Sequence, residues 1–324
     1  MVNEYGLIHA FLLNGLGSAS QIEVADIHNW TKEQGVLWLH FDYTHPEAEE
    51  WLMESSGLDK IIAQALLEDE TRPRATMIND GMLIALRGIN HNPGAEPDDM
   101  VALRMWVDPH RIVTSRRRKL GAASIIAADL LKGHGPKNSG DFLVSMINHI
   151  VHGMSDTIND FEERTADYED AVLSGATGGL RYDLANLRRQ TITIRRYLAP
   201  ERDAFSRLLI EKVSWLDADH SIQIREINDA LLRHIENLDA ARDRAAVTQE
   251  ELNSRLSEQL NARMYVLSVV TTVFLPLGFL TGLLGINIGG IPGADNTHAF
   301  WIFIVMLAVI VIGQIILFRW KKWF

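Results

Sequence analysis

The chain has 324 residues, 47% of them apolar, with 31 basic side chains against 42 acidic ones, a formal net charge of −11 and no cysteine. The missing cysteines exclude disulfides and thiolate metal ligands and fit a reducing compartment. The acidic balance argues against nucleic acid as a partner, because phosphate backbones need a basic face, and leaves two roles for the charge, concentrating cations or keeping the protein soluble.

In chain order, residues 1–117 predict mixed α/β structure. Short apolar and β-branched runs at 5–13, 36–41, 82–89, 101–107 and 111–115, bounded by Gly, Pro, Asn and Asp, have the strand signature. Asp108-Pro109-His110 marks a hairpin turn between the last two. Residues 46–56 and 59–68 have helical spacing, and 94–99 reads as an exposed loop. The N-terminus has neither a basic n-region nor an apolar h-region, so no cleavable signal is expected. The run Arg116-Arg117-Arg118-Lys119 opens a helical region and is read as pairing with nearby acids.

From about Leu120 helices take over. Residues 141–173 have helical spacing and end at the glycines of 175–179; residues 182–198 form a second helix stopped by Pro200. Between 201 and 275 there is no glycine or proline. Ile224, Ile227, Leu231, Ile235, Leu238, Leu252, Leu256 and Leu260 recur at steps of three and four, the seam of a helix packed as in a coiled coil. Unbroken from about His220 to Leu284, this helix would be roughly 65 residues and ~100 Å long, with 215–219 as the interruption upstream. His149, His152 and Asp156 fall at i, i+3 and i+7, so on one helix they would share a face and form a candidate cytoplasmic metal site. The acids Asp167, Glu169 and Asp170, and Asp217 and Asp219 with His220, read as solvated helix ends.

The C-terminus is an apolar hairpin. Residues 264–284 carry no formal charge and 300–318 are interrupted only by Gln314, each about the length that spans a ~30 Å hydrocarbon core. Arg263 precedes the first run, and Arg319, Lys321 and Lys322 follow the second, whereas 285–299 contains no Lys or Arg. Basic flanks stay inside, so both termini are expected in the cytoplasm, with the turn outside the inner membrane. Trp320 and Trp323 suit the headgroup region. The expected organisation is a cytoplasmic α/β and helical domain to residue 200, stalk helices over 201–263, a first span, an outer loop over 285–299, a second span and a basic tail. Two spans cannot enclose a channel, so the hairpin implies an assembly.

Through the membrane boundary, Glu250, Ser254, Ser257, Asn261, Met264, Ser268, Thr271, Leu275 and Gly278 recur at steps of three and four. Around a symmetry axis, rings of Asn261, Ser268 and Thr271 would offer oxygens to hydrated cations, with Met264 and Leu275 as apolar constrictions. The other reading has the hydroxyls bonding to carbonyls one turn back and the apolar members merely packing. Pro276 and Gly278 provide for a kink or close helix approach, as Gly282 and Gly285 do near the outer mouth.

The turn Gly285-Ile286-Asn287, at the end of a first span in a C-terminal two-span hairpin with a basic tail, resembles the Gly-Met-Asn tripeptide of the CorA-type divalent-cation transporters. Ile286 in place of methionine, the sequence over 288–293, Glu70-Thr71-Arg72-Pro73-Arg74 and the stretch 195–203 resemble the zinc-transporting ZntB branch, over the whole chain. The resemblance implies a homopentameric funnel with an α+β cytoplasmic domain, stalk helices and a pore lined by the first span. It also implies that five Asn287 carboxamides meet the water shell of the ion while Gly285 permits the turn. The glutamate common in the outer loop of magnesium-transporting relatives is missing here, where Asp295 and His298 stand instead; acid plus imidazole suits zinc better than magnesium. His298 is equally a candidate proton site, or an exposed loop residue without a role.

No P-loop, nucleophile elbow, zincin or dinucleotide fingerprint is present, so no enzyme, resident cofactor or nucleotide-driven pump is expected. The expected function is Zn²⁺ transport by a homopentamer in the lipid bilayer, with Mg²⁺, Co²⁺ or Ni²⁺ transport on the same architecture as the rival. A membrane-anchored metal sensor without flux is the reading from a different class. Direction of transport, proton coupling and gating by cytoplasmic metal are not legible in the residues.

Overall fold

A computed structural model describes residues 5–69, 71–175, 178–285, 291, 293 and 295–321. The chain divides into two compact units, 1–250 and 251–324.

The first unit is built on a seven-stranded sheet of order β2-β1-β3-β7-β6-β5-β4. Its strands are β1 (Leu7–Leu13), β2 (Ala19–Gln21), β3 (Val36–Asp42), β4 (Arg74–Ile78), β5 (Gly81–Gly88), β6 (Val101–Val107) and β7 (Arg111–Arg116). Among the described strands β3 and β7 form the parallel pair, and the connection between them is long and holds α-helical turns and the strands β4, β5 and β6, whereas the antiparallel pairs β4–β5 and β6–β7 join by short turns. The β6–β7 turn is the expected one: the Asp108 carboxylate accepts the backbone N–H groups of His110 (2.9 Å) and Arg111 (2.7 Å). Two strands, β2 and β4, lie outside the runs legible in the sequence. β4 follows Pro73 and pairs with β5 through a two-residue turn in which Asn79 has φ 53°; asparagine tolerates that left-handed conformation.

Alternation along β3 explains the layering. Leu37, Leu39 and Phe41 enter a core with Trp51, Leu52, Ile62 and Leu66 from α2 (Pro46–Glu50), the π-helical turn that continues it (Trp51–Ser55) and α3 (Lys60–Leu67). Trp38 points the other way and meets Phe142 of α5 (Ser139–His152) at 4.9 Å between ring centroids. The sheet is thus covered on both faces, a helix–sheet–helix sandwich. The short α1 (Val24–Ile27) adds Ile27 to the first core, and α4 (Gly121–Lys132) packs on β2 and α5.

Two helical boundaries differ from expectation. The run 141–173 is divided into α5 and α6 (Ser155–Leu173) at Gly153-Met154. Gly153 is a weak helix former whose added β carbon would lie 3.0 Å from the His149 carbonyl, and fully buried Met154 anchors the break. Conversely, Pro200 does not end a helix: α7 (Leu180–Ile210) continues through it. A mid-helix proline costs about 3 kcal/mol, but the buried stripe Ile194, Leu198, Ala204, Phe205 and Leu208 runs on past it, and α7 packs on β4 and β5. A connector leads to α8 (Ala218–Leu284), one helix of 67 residues that fulfils the unbroken helix expected. The β4–β5 tip holds that connector, since the Asp80 carboxylate accepts the Ser214 N–H at 2.7 Å and its carbonyl accepts the Trp215 indole N–H at 2.8 Å.

On the α5 side of the sheet, Thr114 Oγ1 accepts from Trp38 Nε1 (2.9 Å) and donates to the Leu39 carbonyl (3.1 Å), so His40 Nδ1 must donate to it (2.8 Å). His40 Nδ1 therefore carries a proton. Burial, reinforced by the positive charges of Arg116 and His9, holds its pKa well below the ordinary value. The unfolded chain then binds more protons than the folded one, so the stabilisation is complete above ~6.5 and is lost as pH falls below that value, by about 1.4 kcal/mol per pH unit at most. Thermal melts of the full-length protein should fall between pH 7.5 and 5.5, and His40→Asn should flatten that dependence.

Candidate functional site in the apolar helices

The second unit contains the end of α8 and all of α9 (Ala299–Trp320); among the described residues these two helices are long and apolar enough to cross a membrane. Nearly all their side chains are uncovered within one copy, with Phe274, Leu275 and Trp301 at 66%, 71% and 66% exposure. Apolar surface of that extent belongs against lipid or other copies.

Among the described residues a hydrogen bond joins the helices. Gln314 Nε2 of α9 donates to the Thr272 carbonyl of α8 at 3.3 Å. Thr272 is four residues before Pro276, and proline has no N–H to give the carbonyl one turn back. In hydrocarbon an unmatched carbonyl costs more than in water, and membrane helices carry proline where a neighbouring group serves it. Gln314, visible in the sequence only as an interruption of the second span, does this. The offset of four between Thr272 and Pro276 was the signal that could have found it.

The half-buried positions of α8 in this region, Val269, Val273, Pro276, Leu277 and Leu280, cluster on one helix face, the side we assign to α9. At 100° per residue, Ser268, Thr271, Leu275 and Gly278 average about 165° around the helix from that face. The polar stripe thus lies on the side of α8 turned away from α9. Asn261, Met264, Ser257, Ser254 and, in the first unit, Glu250 continue it at the same steps, all exposed. Thr271 Oγ1 donates to the Leu267 carbonyl at 2.8 Å, as the local-bonding reading expects, and Thr272 bonds Ser268 likewise at 2.7 Å. A hydroxyl that donates still has acceptor lone pairs, so this bond orients the Thr271 oxygen without consuming it. No Cβ at Gly278 or Gly282 would meet another atom within 4 Å, so neither glycine serves packing inside one copy.

At the turn, the Gly285 N–H bonds the Thr281 carbonyl at 2.9 Å, and a β carbon at 285 would lie 2.7 Å from that oxygen, so glycine is required. Ile286 and Asn287 lie outside the described residues. Asp295 and His298 are exposed and, among the described residues, their side chains have no polar partner; the His298 backbone N–H bonds the Asn296 side chain at 2.9 Å at the start of α9.

The cytoplasmic candidates are not brought together. His149 and His152 end α5 whereas Asp156 belongs to α6, so the three do not share one helix face. Burial, followed by the opposing influence of Asp129 and then the charge of His152, lowers the His149 pKa. Among the described residues no group of three or more His, Asp or Glu converges as a metal site. Two of the acids read as solvated ends are engaged instead: Glu169 takes a two-point bond from Arg244 (2.9 and 2.5 Å), and Asp217 pairs with buried His220, which also meets Asp141 at 2.9 Å.

The family model "CorA-like Mg2+ transporter protein" matches residues 33–322. The divalent cation transporter CmaX of Pseudomonas aeruginosa is 40% identical, over 98% of this chain and 95% of its own. The zinc transport protein ZntB of Pectobacterium carotovorum subsp. carotovorum is 39% identical, over 98% and 96%. The solved structure of full-length CmaX superposes with a TM-score of 0.87 at 37% identity, covering 99% of both chains. Sheet domain, long helix and paired apolar helices together define a two-span membrane transporter, not an enzyme. The chain belongs to the CorA-like family of divalent-cation transporters.

Gln314→Leu should destabilise the helix pair by about 1 kcal/mol, the scale of hydrogen bonds between membrane helices. Pro276→Ala restores an N–H to Thr272, so Gln314→Leu should cost less in that background. Thermal melts of the four proteins in detergent check this, and strictly additive losses would contradict the pairing.

Proposed function

We propose that the protein moves Zn²⁺ across the inner membrane through the axial pore of a homopentamer, with the first span lining the pore and both termini in the cytoplasm. The observation that carries this reading is the stripe of Ser268, Thr271, Leu275 and Gly278 on the side of α8 away from α9. A span covered on one side by its own hairpin partner has its opposite side free to face an axis, and polar groups there need water or protein. The ion passes the Asn287 ring at the outer mouth, formed with Gly285 and Ile286, then Thr271, Ser268, Met264 and Asn261. Asp295 and His298 attract it in the outer loop. The basic residues Arg263, Arg319 and Lys321 support the orientation.

Zinc is favoured by the 39% identity to a protein named for zinc transport and by the acid and imidazole of the outer loop, a ligand set magnesium disfavours. A second reading, Mg²⁺, Co²⁺ or Ni²⁺ on the same architecture, is supported by the similarity to CmaX, named only for divalent cations, and by the family's description. Tenfold selectivity is only ~1.4 kcal/mol, so flux decides between them.

Proteoliposomes loaded with an ion-sensitive dye should show zinc uptake above that of empty vesicles. Asn287→Ala should reduce it at least ~tenfold, a loss of ~1.4 kcal/mol, with the oligomer unchanged by size. Zinc flux no greater than in empty vesicles sinks the zinc reading, and flux that survives Asn287→Ala sinks the role of the turn. Repeating the assay with an imposed pH gradient separates proton-coupled transport from a passive pore.

A further inference from the structure

The sheet domain has a feature for which cation transport has no use. A cavity of about 850 Å³ opens beside the start of β6. Among the described residues Arg72, Arg87, Arg104, Arg117, Arg118 and Arg196 line it, with Asp69 and Asp99 as the acids opposed to them. The described lining of this concavity, in a chain with net charge −11, thus carries six positive charges against two negative ones. The arginines come from distant stretches, ahead of β4, in β5 and β6, after β7 and in the middle of α7. Thr71 and Arg72, and Arg196 and Tyr197, belong to the two cytoplasmic stretches whose sequence resembles the ZntB branch, and the fold brings both to this cavity.

Much of this charge is not neutralised. Arg117 pairs with Asp69 at 3.4 Å, and Arg118 pairs with Asp99. The Arg87 guanidinium spends its donors on neutral carbonyls, those of Thr71 (3.1 and 3.3 Å) and Met100 (3.0 Å), and its backbone N–H donates to the buried Glu201 carboxyl group at 3.3 Å. Among the described residues, Arg72, Arg87, Arg104 and Arg196 form no ion pair. Arg104 is the most telling. It is 1% exposed, its Nη2 donates to the Asp69 carbonyl at 2.8 Å, and its Nε and Nη1 have no partner. A buried guanidinium serving only the fold would have a carboxylate, because leaving its donors unmatched is costly. The Thr71 hydroxyl is likewise buried and unpartnered. Tyrosine rings hold the forks in place, with Arg104 4.8 Å from the centre of Tyr43 and Arg87 4.7 Å from that of Tyr197.

We propose that this cavity binds a small anion carrying two or more phosphate groups. Guanidinium forks match phosphate oxygens two at a time. A single phosphate brings at most about two negative charges, half of the excess here, and fills little of the volume; ligand cavities of this size hold whole metabolites.

The test uses the full-length protein in detergent with divalent ions chelated, so that transport plays no part in the readout. Calorimetric titration with pyrophosphate, ADP and ATP should saturate, more tightly than with inorganic phosphate, and should weaken with salt. ADP binding beyond pyrophosphate assigns the rest of the cavity to a nucleoside; equality assigns the site to the phosphates alone. Arg104→Gln should weaken binding at least ~tenfold, the effect of losing one charged hydrogen bond. Because Arg104 is buried, the exposed pair Arg72→Gln with Arg196→Gln gives the same reading without threat to the fold. No saturable binding below ~1 mM for any polyphosphate, inorganic phosphate binding as tightly as pyrophosphate, or an unaltered affinity in the double variant overturns the proposal.

Discussion

Hydrocarbon offers the backbone no hydrogen-bond partner, and the second unit is organised around that constraint. Thr272 shows it at the scale of a single carbonyl. Pro276 removes the N–H that would serve it within the helix, and Gln314, the lone polar interruption of the second apolar run, supplies one from the neighbouring helix. The half-buried positions of α8 mark the side assigned to its hairpin partner. Ser268 and Thr271 are thereby left on the opposite side, and the proposed pore face follows from that assignment.

In the first unit water is available and the constraint is different. There the sheet is closed by burial on both faces, with Leu37, Leu39 and Phe41 against α2 and α3 and Trp38 against α5. Such a two-sided core tolerates local faults. Pro200 sits inside α7 because the buried stripe on either side of it outweighs one lost hydrogen bond. His40 is held neutral for the same reason, since its site has no room for the hydration a charge would need. The arginine cavity is the exception, charge gathered beside that core with few acids to meet it.

Much of the architecture was legible from local pattern. Short apolar and β-branched runs bounded by turn residues marked five of the seven strands, because a strand buried on both faces is apolar along its length. Absence of glycine and proline announced α8, and charge-free length announced both apolar helices. What was misread turned on single residues whose effect depends on neighbours: Pro200, read as a stop, and Gly153, not read as one. β2 has only three residues, and β4, largely exposed and opened by an arginine, is not an apolar run. The supposed face of His149, His152 and Asp156 failed because it assumed continuity through Gly153.

By itself, then, the sequence determined the class of protein. Composition, periodicity and the turn at Gly285-Ile286-Asn287 are one-dimensional signals, and the physics of strand, helix and bilayer acts along the chain. Only the tertiary structure decided which side of α8 faces away from α9, that Gln314 answers Pro276, and that arginines separated by more than a hundred residues share one cavity. Those facts depend on which surfaces meet when the chain folds, and no spacing within one segment encodes them.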